Sequence, residues 1–387
     1  MKKKIVYCLP SLYISGGMER VLTIKANYFA EVLGYEIYII LTDGVDKDPF
    51  FKLSPLIKVI NLNINFEELW EFNFLKKTCV FFLKQRKYKQ KLKETLFSIR
   101  PDFTITMLRR EINFINDIAD GSIKIGELHV NRENFRNLVV SHNNIVTNIL
   151  SKVWMLQLIF KLKKLSAFVV LCNEEKEKWV ELNNIVVINN PLPFYPIESS
   201  NLSSHKVIAV GRLTYQKGFD RLIKAWKYVT DKFPDWELSI YGSGEIEKHN
   251  EQIKKFNIKK TCCIKDPVSD IISKYCESSI FVLSSRYEGF GMVIIEAMSC
   301  GVPPIAFDCP SGPKDIINNL KDGILVKSGD INELAEKICF LIENEEIRKE
   351  MGINARKNAE RFKIEHITMQ WESLFEKLVK NKTINKD

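Results

Sequence analysis

The chain has 387 residues, more than one hydrophobic core normally serves, so we expect two domains. Hydrophobic residues make up 45% and charged residues 27%, as in soluble globular proteins, and the sequence contains no run of about 18 apolar residues that would predict a transmembrane helix. The net charge of +9 lies almost wholly in residues 1–190, which hold 28 Lys and Arg against 20 Asp and Glu.

The first residues, a basic tripeptide after Met1 and then an apolar run, superficially resemble a signal peptide. Pro10 and Ser11 interrupt the apolar run and no small-residue cleavage site follows, so residues 4–9 are predicted to be a buried strand. Nine cysteines are scattered without the spacing of metal ligands, which indicates reduced thiols and a cytoplasmic protein.

Short apolar runs alternate with helical periodicity along the whole chain. This pattern predicts the α/β class, with two Rossmann-like parallel sheets covered by helices. A segment rich in proline and polar residues, 191–204, is predicted to link an N-terminal domain, residues 1–190, to a C-terminal domain, residues 205–365. The strands are expected near 4–9, 36–42, 57–61, 103–107, 122–128, 167–171, 185–188, 206–210, 237–241, 262–264, 280–283, 303–307 and 323–326.

The predicted loops after the first and the second strand each contain a possible ligand-binding motif. Gly16 and Gly17 open the first predicted helix, either as a plain flexible turn or as a loop that lets a ligand approach the backbone. Asp46 and Asp48 have the Asp-x-Asp form of a manganese site, but a lysine lies between them and no other carboxylate or His cluster has ligand spacing. We therefore expect no metal ion.

The excess of positive charge has its source in residues 76–100, where nine basic residues and one acidic residue are interleaved with apolar side chains. Residues 154–165 repeat the mixture. The simplest interpretation is a helix with a solvated basic face. The alternative is a surface that rests on anionic lipid, which would make the protein peripheral on the inner face of the plasma membrane. No nucleic-acid-binding motif accompanies the charge, so we expect no nucleic acid partner.

A histidine ends the fifth predicted strand. Glu127 and His129 could help with proton transfer or orientation there, and His142 is a weaker candidate. A lone histidine at a strand end is equally compatible with a structural role.

In the second half, a strand ends at Gly211 and is followed by Arg212 and Lys217. Two cations at a strand end, beside glycines that allow close approach of the backbone, suit a diphosphate. Gly242 and Gly244 follow the next strand and are weaker evidence, because an ordinary strand-to-helix connection also uses glycine.

The most informative segment is residues 284–304. It sets Glu288 and Glu296 eight positions apart around a turn that opens a helix, directly after a strand. Glu288 alone could simply stabilise a helix N-terminus. Glu296 lies more than one turn inside an otherwise apolar helix, where a buried carboxylate needs a partner, and sugar hydroxyls are suitable partners.

This arrangement closely resembles the acidic motif of retaining glycosyltransferases of family 4, since Glu-Gly-Phe-Gly, Glu-Ala-Met and Cys-Gly-Val-Pro all fall in register. Within that family the segment is most similar to bacterial enzymes that extend surface polysaccharides or lipopolysaccharides. The resemblance implies the GT-B fold, with two Rossmann-like domains facing a central cleft. It also implies that a C-terminal helix, residues 366–387, returns to the first domain.

The resemblance implies roles for these residues. Glu288 would contact the donor sugar, Glu296 the ribose, and Arg212 and Lys217 the departing diphosphate. His129 would lie beside the donor sugar, with Glu288, Arg212 and Lys217 as the other catalytic residues. The remaining donor-binding candidates are Gly16, Gly17, Gly211, Gly242, Gly244, Pro267, Val268, Gly289, Phe290, Gly291, Met292 and Val293.

The function that the resemblance implies is transfer of a hexose-type sugar, with retention of configuration, from a nucleoside-diphosphate sugar to a saccharide or lipid-linked acceptor. UDP is the expected nucleotide from family frequency alone, and no cofactor or metal is expected. Two alternatives stay open: a catalytically silent protein that binds a nucleotide sugar or acts as a scaffold, and another GT-B enzyme such as an epimerase or a phosphorylase.

Overall fold

The computed structural model describes residues 2–137 and 145–384. It divides into two compact units. The first comprises Met1–Pro191 together with the segment that begins at Ile364, and the second comprises Leu192–Lys363.

The first unit contains a seven-stranded parallel sheet with the strand order β3-β2-β1-β4-β5-β6-β7. Successive residues of β1, Lys4–Leu9, an interior strand of this sheet, are buried on opposite faces. Ile5, Tyr7 and Leu9 belong to one apolar cluster, whereas Val6 and Cys8 belong to another. Because side chains alternate along a strand, both faces of this sheet must be covered. The strands are β1 Lys4–Leu9, β2 Glu36–Leu41, β3 Lys58–Asn61, β4 Phe103–Thr106, β5 Ile123–Glu127, β6 Ala167–Val170 and β7 Ile185–Val187.

Helices cover this sheet, joined by short 3-10 turns such as Phe66–Glu71 and Arg132–Asn137. The helices of the first unit are α1 Gly17–Glu31, α2 Phe74–Ile99, α3 Ile145–Lys163 and α4 Asn173–Lys178, and the last helix of the chain, Ile364–Ile384, packs here as well. That last helix buries Ile367, Trp371, Leu374, Phe375 and Leu378 in the same cluster as alternate residues of β1.

The second unit contains a six-stranded parallel sheet with the order β10-β9-β8-β11-β12-β13. Its strands are β8 Lys206–Val210, β9 Glu237–Tyr241, β10 Cys262–Lys265, β11 Ile280–Leu283, β12 Pro304–Asp308 and β13 Ile324–Lys327. Its helices are α5 Phe219–Lys232, α6 Ile246–Lys255, α7 Ile271–Cys276, α8 Met292–Ser299, α9 Pro313–Ile316, α10 Ile331–Glu343 and α11 Glu345–Ala359, so that Ile364–Ile384 is α12.

Of the predicted linker, residues 191–204, all but Pro191 belong to the second unit. The Leu192 N–H donates to the Phe362 carbonyl at 2.7 Å, and the Ser200 N–H donates to the Cys300 carbonyl at 2.9 Å. Leu202 is buried, and the buried Arg348 donates hydrogen bonds to its carbonyl. This segment therefore has fixed partners along its length.

The thirteen predicted strands are all present, each within one residue of its predicted ends. Two parallel α/β sheets are thus confirmed. In each sheet the carboxyl ends of the strands lie at one edge, and ligands of open α/β sheets bind at that edge.

Candidate active site

In the second unit, the loops that follow β8 and β11 meet at the carboxyl edge of the sheet, since these strands are neighbours. Lys217 Nζ donates to Glu288 Oε1 at 2.7 Å, and Ser285 Oγ donates to the same oxygen at 2.6 Å. Glu288 is only 5% exposed. No partner of its second oxygen, Oε2, occurs among the described residues. Oε1 is therefore held by two donors, whereas Oε2 can still accept hydrogen bonds from a ligand.

These two loops are fastened together by a second set of contacts. The Arg286 guanidinium donates to both oxygens of Asp220, at 2.8 Å each, and to the Tyr215 carbonyl at 2.7 Å. The Gln216 amide donates to the Tyr287 carbonyl at 3.1 Å. Hydrogen bonds from Arg286, and then its charge, lower the pKa of the Asp220 carboxyl. The bidentate pair and its neighbours fix Lys217 opposite Glu288.

Glu296 lies inside α8 and is 2% exposed, as its apolar neighbours predicted. Tyr275, a buried residue of α7, donates from its hydroxyl to Glu296 Oε2 at 3.2 Å. The sequence reasoning did not single out Tyr275, Ser285, Arg286 or Asp220. Ser285 and Arg286 lie within the segment 284–304, whereas Tyr275 and Asp220 carry no local signal.

The glycines after β8 and β9 bring two loops into contact with each other. A Cβ atom on Gly242 would lie 1.8 Å from the Gly211 carbonyl oxygen, so that position needs glycine for packing alone. Gly244 is bridged to Leu213 in the same loop contact. Arg212 is exposed, and no ion pair of its side chain occurs within the described residues. Of the two predicted cations, the structure brings only Lys217 to Glu288.

The turn before α8 contains the remaining candidates of this motif. Gly291 caps the helix with φ of 98°, a conformation that residues with a side chain rarely adopt. Phe290 is buried against Phe362, at 5.7 Å between ring centroids. Gly289, Met292 and Val293 are half-buried at the same turn. Free N–H groups at such a helix start favour an anion.

Pro267 and Val268 lie in an exposed loop that follows β10. This strand is at the outer edge of the sheet, two strands away from β8. The loop shares the carboxyl edge with the Lys217 and Glu288 loops, but in the described part of the chain no hydrogen bond joins Pro267 or Val268 to either residue.

In the first unit, His129 lies just beyond β5 and is 7% exposed at its side chain. Its Nε2 atom is 3.1 Å from Glu127 Oε1, and the same oxygen is paired with Lys25 Nζ. Burial raises the pKa of the Glu127 carboxyl, but the charges of Lys25 and His129 and their hydrogen bonds outweigh that effect and lower it to about 2. Glu127 is therefore a carboxylate at neutral pH. His142 lies outside the described residues.

Gly16 and Gly17 start α1, as predicted, but they differ in their surroundings. A Cβ atom on Gly16 would lie 2.0 Å from Glu19 Oε2, whereas one on Gly17 would meet nothing within 4 Å. Asp46 and Asp48 are exposed, and the intervening Lys47 is 3.8 Å from Glu67. Within the described residues, no three His, Cys, Asp or Glu side chains form a group that could hold a metal ion.

Comparison with known proteins places these features in context. Residues 196–358 match the family of glycosyl transferases group 1. The matched segment covers most of the second unit, Leu192–Lys363. The matched residues include Arg212, Lys217, Glu288 and Glu296, so the strand-end contacts lie within the segment that defines the match.

Two relatives extend the comparison. An uncharacterized glycosyltransferase of Haemophilus influenzae is 29% identical over 383 residues, which cover 96% of this chain and 99% of that protein. The amylovoran biosynthesis glycosyltransferase AmsD of Erwinia amylovora is 37% identical over 201 residues, covering 50% of this chain and 56% of AmsD.

Solved structures support the fold. S. aureus TarM, crystallised with UDP, alpha-GlcNAc-glycerol and fondaparinux, has a TM-score of 0.77 at 18% identity, covering 96% of this chain and 99% of TarM. Sucrose-phosphate synthase from Thermosynechococcus elongatus has a TM-score of 0.78 at 17% identity, covering 98% and 100%. The prediction of the GT-B fold class is confirmed.

Proposed function

We propose that this protein is a retaining, metal-independent glycosyltransferase of family 4 that takes a hexose-type sugar from a UDP-sugar. The observation that carries the proposal is the buried contact of Lys217 with Glu288 at the carboxyl edge of the second sheet. It sets a cation beside a buried carboxylate inside the segment that matches the family, and we propose that this carboxylate binds the sugar. UDP is favoured because TarM was crystallised with it.

Lys217 and Arg212 would neutralise the diphosphate as it departs. Arg212 is exposed, and among the described residues the Lys217 ammonium is paired with Glu288 Oε1 alone, so both cations could turn to phosphate oxygens. The N–H groups at the start of α8 would add stabilisation where negative charge develops. Glu288, through Oε2, would accept hydrogen bonds from the sugar, and Glu296 with Tyr275 would hold the ribose.

The chemical step would proceed on one face of the sugar. The bond between the anomeric carbon and the diphosphate oxygen breaks while the acceptor oxygen attacks from the same side. The acceptor proton passes to the departing diphosphate, so configuration is retained. His129 would orient the sugar beside this step.

The acceptor is proposed to be a saccharide or lipid-linked saccharide of bacterial polysaccharide assembly. AmsD, which matches half of this chain, is a glycosyltransferase of amylovoran biosynthesis. A lipid-linked acceptor would suit a protein that rests on the inner face of the membrane.

Two helices of the first unit suit such a surface. On α2, Leu75, Phe82 and Leu83 are exposed at the spacing of one helix side, among the basic residues 76–93. On α3, Leu156 and Phe160 are likewise exposed. A basic helix with exposed apolar side chains partitions into an anionic lipid interface. In the described part of the chain, no helix is both long and apolar enough to cross a bilayer.

The donor is tested by adding UDP, GDP, ADP and their sugars to the purified protein and recording thermal unfolding. UDP should stand out, and at 100 times its dissociation constant it should stabilise the folded protein by about 2.7 kcal/mol.

UDP release with and without EDTA tests metal independence, and NMR of the product tests retention of configuration. A chain that binds UDP-sugar but releases no UDP with any acceptor or water would instead be a silent binder.

The membrane face is tested by flotation with anionic and with zwitterionic vesicles. The protein should float with the anionic vesicles only, and Phe82→Ser with Leu83→Ser should reduce the bound fraction about tenfold. Ile353→Ser, at an exposed apolar residue of the second unit, is the matched control and should float normally. Equal failure with both vesicle types would remove the membrane part of the proposal.

A further inference from the structure

A pair of oppositely charged residues lies at the centre of the first unit. Lys25 of α1 and Glu127 of β5 are 102 residues apart in the chain, yet their side chains are paired and only 1% and 2% exposed. Burial lowers the pKa of the Lys25 ammonium, and the charge of Glu127 opposes that shift. A buried charge of either sign requires a partner, so the two residues depend on each other.

The pair leads directly to His129. One carboxylate oxygen, Glu127 Oε1, faces both the Lys25 ammonium and His129 Nε2. The Lys25 cation beside this oxygen favours its charged form and fixes its position. The imidazole therefore lies beside a carboxylate whose position is set by Lys25.

The C-terminal helix supplies a fourth member. Trp371 of α12 is 1% exposed, and its ring centroid is 4.5 Å from Lys25 Nζ. Such a cation over an indole ring is attracted by the ring's negative face. Trp371 thus contacts the same ammonium that Glu127 contacts, and a contiguous series of contacts runs from α12 to His129.

Stability alone does not account for this cluster. A buried ion pair is often no more stabilising than well-packed apolar residues of similar volume. The hydroxyl of Tyr7, the second oxygen of Glu127 and the indole N–H of Trp371 are also buried, and none has a hydrogen-bond partner among the described residues. Burial, and then the charge of Glu127, raise the pKa of Tyr7, so this neighbour supplies no charge to the pair. A cluster of apolar side chains would avoid the cost of burying these charges and these polar atoms.

We infer that Lys25 is a positioning residue for His129, acting through Glu127 and held by Trp371. The inference rests on the proposed function for the role of His129 in the reaction. The position of His129 beside Glu127 does not depend on that function. It makes α12, from the far end of the chain, a part of the machinery that orients the histidine.

The experiment compares four full-length variants: Lys25→Met, Glu127→Gln, the double variant that carries both, and Lys124→Met. Lys124 is the matched control, because it is a buried lysine of the same strand paired with Asp120, and it lies on the other face of the sheet from Glu127. UDP release from UDP-sugar gives kcat, and calorimetry gives the affinity for UDP. The double variant removes both buried charges of this pair, so neither is left without its partner and the test is protected against misfolding.

Lys25→Met should lower kcat about tenfold or more while UDP affinity stays within about twofold, and Lys124→Met should change neither by more than about twofold. The double variant should lose no more activity than Glu127→Gln, since Lys25 acts through Glu127. Losses that multiply in the double variant, or a kcat for Lys25→Met equal to that of Lys124→Met, would overturn the inference.

A second measurement separates this inference from the proposed function. The ring nitrogen resonances of His129, assigned with His129→Gln, should change in Lys25→Met and not in Lys124→Met. If the wild-type protein binds no nucleotide sugar, the proposed function fails while this NMR comparison still decides the inference. Unchanged His129 resonances in Lys25→Met would contradict it.

Discussion

At the scale of single residues, Lys217 and Glu288 meet although 71 positions separate them in the chain. Each residue by itself is compatible with a purely structural role, Lys217 as an exposed cation and Glu288 as an acid in the first turn of a helix. Their contact at a sheet edge, with Ser285 on the same oxygen, gives the carboxylate a fixed direction. The function proposed for this edge would therefore depend on charge as well as on shape.

Glu288→Gln tests that dependence, because it keeps the size of the side chain and removes its charge. We expect kcat for UDP release to fall about 100-fold, as for other lost electrostatic contacts at reacting centres, with UDP affinity changed less than about threefold. Steady-state kinetics and calorimetry measure the two quantities. Asp231→Asn, at an exposed ion pair of α5, is the control. An unchanged kcat would exclude Glu288 from the chemistry.

Glu127 gives a prediction about pH. Its pKa in the folded protein, about 2, is below its ordinary value of 4.5, so its ion pairs contribute stability that is complete above pH 4.5. That contribution is lost as pH falls from about 4.5 towards 2. Urea unfolding across this range should show that the wild-type free energy of unfolding falls more steeply than that of Glu127→Gln. Parallel curves would show that Glu127 is not held as a carboxylate.

At the scale of elements, the glycines at strand ends have separable roles. Gly242→Ala would force a Cβ atom against the Gly211 carbonyl, and we expect a loss of about 2 kcal/mol of unfolding free energy. Gly17→Ala meets open space at the start of α1 and should change stability by less than about 0.5 kcal/mol. Urea unfolding measures both. Equal losses would mean that the loop contact after β8 and β9 does not constrain Gly242.

The elements themselves could be predicted because buried parallel strands are short apolar runs that alternate with amphipathic helices. The motif around Glu288 could also be recognised, because its residues are close together in the sequence. Lys25 with Glu127, Arg286 with Asp220, and Tyr275 with Glu296 were not, because each pair joins residues that only the fold brings together. Local sequence carries no record of such long-range partners.

At the scale of the whole molecule, each unit has its own apolar core. One cluster fills the second unit, and two others cover the faces of the first sheet, with α12 included in one of them. The nucleotide is proposed to bind residues of the second unit, whereas Trp371 stabilises only the first. UDP and a substitution of Trp371 should therefore change the stability of different units.

Calorimetric unfolding tests this division. We expect two transitions, of which UDP raises only the one that belongs to the second unit, because a ligand stabilises the unit that binds it. Trp371→Ala removes a buried indole and should lower the other transition, by an amount that corresponds to about 3–5 kcal/mol. Trp70→Ala, at a tryptophan of the first unit that is 79% exposed, is the matched control and should leave both transitions in place. A single transition that UDP raises as a whole would mean that the two cores unfold as one cooperative body.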